Sequence, residues 1–385
     1  MFRSALRPGF RRLALIALAG SLLFVPDCSA QSPDFHIYLG FGQSNMEGGP
    51  KVSGLPAADP RFQVLSVVNC PSLNPPRTMG KWYTADPPLP RCTQGPGIVD
   101  WFGRTLVDSL PKNIKIGVLM VTVIGAKIEL FDKDAYQAYL NDPATEDWLR
   151  NAAKEYGSSP YARLIEMAKV AKKDGVIRGI LLHQGESNAD DAKWPDKVKK
   201  IYGDIMADLS LDPKDIPLLA GEVVNADVGG TAAGANVQIA KLPGVLPNSY
   251  VVSSSKLPAG GDRLHFTAEG HKLFGQRYAA AMLNIHYKST GARPGDRPRT
   301  GYALGPTRMQ GRGKAEADFE VPRRTSVSFK VYAPDGGLIA ELAAKEYAAG
   351  RHTVGFGPRG FPRGLGILRM EADGFSATRL FAAGD

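Results

Sequence analysis

The run Phe35-His36-Ile37-Tyr38-Leu39-Gly40-Phe41, followed at once by Gly42-Gln43-Ser44-Asn45-Met46, decides the architecture. A short, aromatic and β-branched run ending on glycine reads as a buried strand that stops at a tight turn. Similar runs recur at Gln63–Asn69, Ile114–Val123, Val176–His183, Ile216–Val223 and Tyr250–Ser254. Between them lie helical patterns at Ile98–Leu110, Pro160–Lys173, Lys193–Leu209, Thr231–Lys241 and Thr267–His286. Strand–helix alternation predicts a three-layer α/β/α sandwich around a parallel sheet, with any site beyond the strands' C-terminal ends. No internal repeat is visible.

Outside this body the composition changes. Arg3, Arg7, Arg11 and Arg12 precede an apolar run from Leu13 to Val25, too short for the ~20 residues of a spanning helix. With Cys28-Ser29-Ala30 at its end, residues 1–30 read as a secretory signal, so a secreted or cell-surface protein is expected. Residues 291–313 read as a Pro/Gly/Arg-rich linker. Residues 314–385 carry the period-2 run Thr325–Ala333 and the turn Pro334-Asp335-Gly336-Gly337, so a small basic β-sandwich is expected there. The α/β body is thus bounded at 31–290.

The 385 residues include 43% apolar and 22% charged side chains, enough to build cores and too apolar for wholesale disorder. The formal charge of +9 is unevenly spread. Four Arg and one Asp lie before residue 31, and 15 Lys and Arg against 10 Asp and Glu lie after residue 290. The body between is therefore close to neutral, which argues against nucleic acid as a partner. The basic tail suits attachment to an anionic cell surface. Once the signal is removed only Cys70 and Cys92 remain, and an even count in an oxidising compartment predicts a disulfide.

Three short segments at strand ends carry the chemistry. Ser44, in its glycine-flanked turn, can present a hydroxyl where backbone N–H groups also point, as a nucleophile needs. In Gly261-Asp262-Arg263-Leu264-His265, Asp262 can orient the His265 imidazole so that its far nitrogen takes the serine proton. In His183-Gln184-Gly185-Glu186-Ser187-Asn188, Gln184 can donate an amide to an oxyanion and Glu186 can brace the site. His183 and Glu186 lack an evident third ligand, so no metal and no cofactor is expected.

The order Ser…Asp…His, with the serine after the first strand and no Gly-x-Ser-x-Gly elbow, resembles the SGNH (GDSL-like) hydrolase superfamily. The three segments are similar to its sialate O-acetylesterase and acetylxylan esterase branch, carbohydrate esterase family six, over about Asp34 to Tyr287. The resemblance implies Ser44 as nucleophile, His265 as base and Asp262 as orienting acid. It implies an oxyanion hole from the N–H of Ser44, the N–H of Gly95 in Thr93-Gln94-Gly95-Pro96-Gly97 (Gly97 being the alternative) and the Gln184 amide. Glu186, Asn45 and Trp82 are expected as substrate or site support. Val123-Ile124-Gly125-Ala126-Lys127 departs from the family's usual Gly-Gly-Ser/Thr stretch. The expected function is a monomeric, secreted serine esterase removing O-acetyl groups from plant polysaccharide, acetylxylan first. The alternatives are a sialate O-acetylesterase and a non-catalytic carbohydrate-binding or adhesion protein.

Overall fold

The computed structural model describes residue 1, residues 31–287 and, of the C-terminal part, 302–309, 314–332, 337–357, 364–373 and 375–383. The expected signal segment and most of the linker lie outside these residues, as does most of the Pro334–Gly337 turn.

The body is built on seven strands: β1 (Ser32–Gly42), β2 (Phe62–Leu65), β3 (Trp82–Thr84), β4 (Lys115–Thr122), β5 (Gly175–His183), β6 (Leu218–Gly221) and β7 (Ser249–Val252). They form one sheet in the order β3-β2-β4-β1-β5-β6-β7, parallel except for the β2–β3 pair at the edge. Register puts Gly42 opposite both Thr122 and His183, so the three central strands end level with one another. The β1 side chains alternate between two cores, Ile37, Leu39 and Phe41 in one and Tyr38 in the other.

The helices of the body are α1 (Ser44–Glu47), α2 (Ile98–Ser109), α3 (Tyr136–Asn141), α4 (Asp147–Lys154), α5 (Pro160–Ala171), α6 (Trp194–Leu209), α7 (Ala235–Ile239), α8 (Leu242–Val245) and α9 (Ala268–His286). Leu164 of α5 with Ile201 and Ile205 of α6 pack on one face of the sheet. Phe102 and Leu106 of α2 with Phe274 and Tyr278 of α9 pack on the other. Two starts are written into the sequence: Ser159 accepts from Ala162 N–H ahead of Pro160, and Thr267 accepts from Gly270 N–H. Among the described residues no helix is long and apolar enough to cross a membrane.

The C-terminal part holds β8 (Ala303–Met309), β9 (Ala315–Val321), β10 (Thr325–Tyr332), β11 (Leu338–Tyr347), β12 (Gly350–Phe356), β13 (Gly364–Ala372) and β14 (Phe375–Ala383). They form two antiparallel sheets, β11-β10-β13-β14 and β12-β9-β8, which share a core of Phe319, Phe329, Val331, Leu368 and Phe381. One expectation is corrected here. The stretch 291–313 is not wholly linker, because Ala303–Met309 pairs antiparallel with β9. Gly305-Pro306 hides that strand in the sequence, and the pairing shifts register between Leu304 and Thr307.

Candidate active site

The site begins where β1 runs out. At Gly42 the backbone takes φ +151°, and a Cβ there would lie 2.1 Å from the His183 carbonyl oxygen, so only glycine fits the turn. The chain then winds once through α1, with Met46 N–H and Glu47 N–H both donating to the Gln43 carbonyl. This lifts the half-buried Ser44 onto the rim of the sheet. Among the described residues its own N–H has no acceptor.

From the other side of the rim, the turn before α9 brings the remaining partners. The Ser44 hydroxyl lies 2.9 Å from His265 Nε2, and His265 Nδ1 lies 2.6 Å from Asp262 Oδ2. Asp262 Oδ1 accepts from Leu264 N–H and His265 N–H, each at 3.0 Å, which fixes the carboxylate against the turn. The imidazole contact and these two N–H groups pull the Asp262 carboxyl down to about 2. It is therefore ionised at neutral pH.

Asn45 ties the two segments together. Its Oδ1 accepts from Phe266 N–H at 3.1 Å, and its Nδ2 donates to the Leu264 carbonyl at 3.0 Å and to Glu186 Oε1 at 2.7 Å. Both neighbours of His265 in the chain are thus held by the residue after Ser44. Glu186 in turn faces His183 Nδ1 at 3.7 Å, while His183 Nε2 donates to the Glu222 carbonyl. Burial pushes the His183 imidazole down, so it is neutral.

Three of the sequence-derived assignments are corrected. Gln184 is fully buried, and its Nε2 is taken up by Asn188 Oδ1 at 2.7 Å, Gln43 Oε1 at 3.2 Å and the Ala126 carbonyl at 3.2 Å. Its Oε1 accepts from Trp194 Nε1 at 2.5 Å, so both ends of the amide serve the interior and none is left for an oxyanion. The Gly95 N–H donates to the Gly49 carbonyl at 3.1 Å and is likewise committed. Gly97, the alternative, sits at the start of α2, where an added Cβ would lie 2.7 Å from Gly48 Cα. Trp82 lies toward the opposite end of the sheet, edge-on to Phe35 and donating from Nε1 to Asp174. Phe35 and Gly42 are seven residues apart on β1, about 23 Å along the strand, so Trp82 does not reach the rim.

Cys70 and Cys92 are bonded, with Cα atoms 5.5 Å apart. The loop they close sets Arg91 on Glu47, at 3.2 Å, and on Glu155 at 2.5 Å. Glu47 is buried beside the serine turn; desolvation raises its carboxyl and Arg91 opposes that rise. No sequence pattern points to the Arg91–Glu47 pair, whereas Asn45, expected as substrate or site support, braces the site through both ends of its amide. Among the described residues, Asp132, Asp134 and Asp204 are close enough to share a cation, but Lys200 Nζ already sits between them at 2.6–2.9 Å.

Residues 34–284 match the sequence model of the family described as "Carbohydrate esterase, sialic acid-specific acetylesterase". The chain belongs to this family. Among solved structures, the carbohydrate esterase is similar to a protein from Arabidopsis thaliana, at 21% identity and a TM-score of 0.49, over 66% of this chain and 99% of that one. NanS is similar at 16% identity and a TM-score of 0.47, over 67% and 99% of the two chains. A further carbohydrate esterase is similar at 10% identity and a TM-score of 0.34, over 68% and 70%.

Proposed function

We propose that this carbohydrate esterase removes O-acetyl groups from sugar hydroxyls through a Ser44–His265–Asp262 relay. The contact that carries the reading is Ser44 Oγ to His265 Nε2 at 2.9 Å, with Asp262 on the far nitrogen. His265 takes the hydroxyl proton as Oγ attacks the acetyl carbonyl, and the ionised Asp262 stabilises the imidazolium that forms. The uncommitted N–H of Ser44 faces the developing oxyanion; one such donor is worth ~3–4 kcal/mol. The sugar leaves with the proton from His265, and water hydrolyses the acetyl-enzyme by the reverse path.

Acetylated plant polysaccharide, acetylxylan first, is our proposed substrate class, and carbohydrate esterase family six our proposed branch. O-acetylated sialic acid is the second reading, favoured by the description of the matching family. Export by residues 1–30, action as a monomer and surface attachment through the basic C-terminal sheets complete the proposal. Acetate release from acetylated xylan and from O-acetylated sialic acid, measured side by side, separates the two substrates. Ser44→Ala should lower kcat on p-nitrophenyl acetate by ~10⁴ or more. Wild-type turnover in that variant rules the relay out.

A further inference from the structure

A large aromatic side chain stands on the same rim with no part in the relay. Trp148, the second residue of α4, is 50% exposed and borders the face of that helix on which Leu149, Ala152 and Ala153 are buried. A single exposed aromatic residue is ordinary on a protein surface. This one is placed. Its ring tip lies over Gly125, where an added Cβ would come within 2.6 Å of it and where φ is +66°. Glycine at 125 therefore lets the indole lie against the loop that follows β4.

That loop belongs to the site. The Gly125 carbonyl accepts from Ser187 Oγ at 2.8 Å, and Ser187 N–H reaches Oε1 of Gln43, the neighbour of Ser44, at 3.4 Å. Val123 N–H donates to the Gly42 carbonyl at the foot of the serine turn. Tyr156, just beyond α4, is bonded through its hydroxyl to both N–H and C=O of Thr122, so the helix is tied to β4 beyond its C-terminal end as well. Among the described residues the indole N–H has no acceptor within the protein. A flat apolar face with a free donor at its edge, held on a glycine loop beside a nucleophile, matches a pyranose ring, with C–H groups on its face and hydroxyls around its rim.

We propose that Trp148 is the stacking platform for a sugar ring adjoining the one that carries the acetyl group. The inference rests on the carbohydrate-deacetylating reading and sharpens it: the preferred substrate is an acetylated oligosaccharide or polymer, not an acetylated monosaccharide. The Val123–Lys127 loop departs from the family's usual small-residue stretch at the place where Trp148 rests.

The test compares full-length wild type with Trp148→Ala and Trp148→Phe on acetylated xylotetraose and on p-nitrophenyl acetate. The ratio of kcat/KM for the tetrasaccharide to that for the small ester should fall about tenfold in Trp148→Ala, equivalent to ~1.4 kcal/mol, with the change in KM and partial recovery in Trp148→Phe. An unchanged ratio, or an equal loss on both esters, overturns the platform. Titration with unacetylated xylotetraose gives a second readout: wild-type indole fluorescence should shift saturably and Trp148→Phe should not. A persisting shift in that variant, or no shift in wild type, also overturns it. If wild type releases no acetate from any acetylated sugar, the catalytic reading has failed, and this titration still decides the platform.

Discussion

Asn45 and Gln184 show how differently two buried amides beside one serine can act. Asn45 both accepts and donates, from Phe266 N–H and to the Leu264 carbonyl, so it holds the backbone on each side of His265. Asn45→Ala removes both grips and the bond to Glu186, leaving the imbalance of a misplaced base. A fall in kcat of about 10–100-fold on p-nitrophenyl acetate, with KM within about threefold, is the expected outcome of steady-state kinetics. Loss through KM alone would show that Asn45 binds substrate. Gln184 is the contrary case. With its amide spent on Asn188, Gln43, Ala126 and Trp194, Gln184→Ala orphans buried partners and should lower stability by ~1–3 kcal/mol in urea titration. A variant of wild-type stability with kcat down about 10²-fold or more would restore the amide to the oxyanion. The order Ser44…Asp262…His265 was legible because segments that are ordinary singly together supply a nucleophile, an orienting acid and a base in one order. The assignments to Gln184 and Gly95 failed because hydrogen-bond commitment is settled by partners distant in sequence.

Among elements, the buried parallel strands were the most readable, since β4 and β5 are mostly apolar runs that fall within a residue of their expected bounds. Edges were not. β3 has only Trp82, Tyr83 and Thr84 and pairs antiparallel at the sheet margin, and α4 shows its amphipathic pattern over just eight residues. Helix α9 carries a consequence for pH. His271 on its first turns is 1% exposed, donates from Nδ1 to the Thr267 carbonyl, and burial lowers its imidazole to about 4 from 6.5. Between those values the unfolded chain binds a proton that the folded chain refuses, so stability falls as pH drops through this window. The contribution is on the order of 2–3 kcal/mol between about pH 7 and about pH 4.5. His183 and His265 are the other imidazoles facing it, and they remain in the variant. Urea midpoints of His271→Gln should therefore decline less with acidification than wild type by about that amount. Parallel declines would mean the buried imidazole is not what destabilises the acid form.

At the scale of the whole molecule, the two cores that flank the large sheet draw on residues from Phe35 to Met282, and the core of the C-terminal sheets draws on residues from Leu304 onward. No buried apolar side chain is shared between them among the described residues. The relay residues, their Asn45 brace and Trp148 all lie within the stretch of chain that builds the first two cores. Removing 291–385 therefore takes away a self-contained core and none of the contacts that orient Ser44, His265 or Asp262. A chain of residues 31–290 should turn over p-nitrophenyl acetate with kcat within about twofold of the full-length protein, since no side chain that touches the reacting atoms has changed. Binding to an anionic polysaccharide or to cell envelopes, measured by co-sedimentation, should weaken, because most of the chain's net positive charge lies in the part removed. A tenfold or greater loss on the small ester would mean that the C-terminal sheets support the catalytic rim, and that the division of labour drawn from the separate cores is wrong.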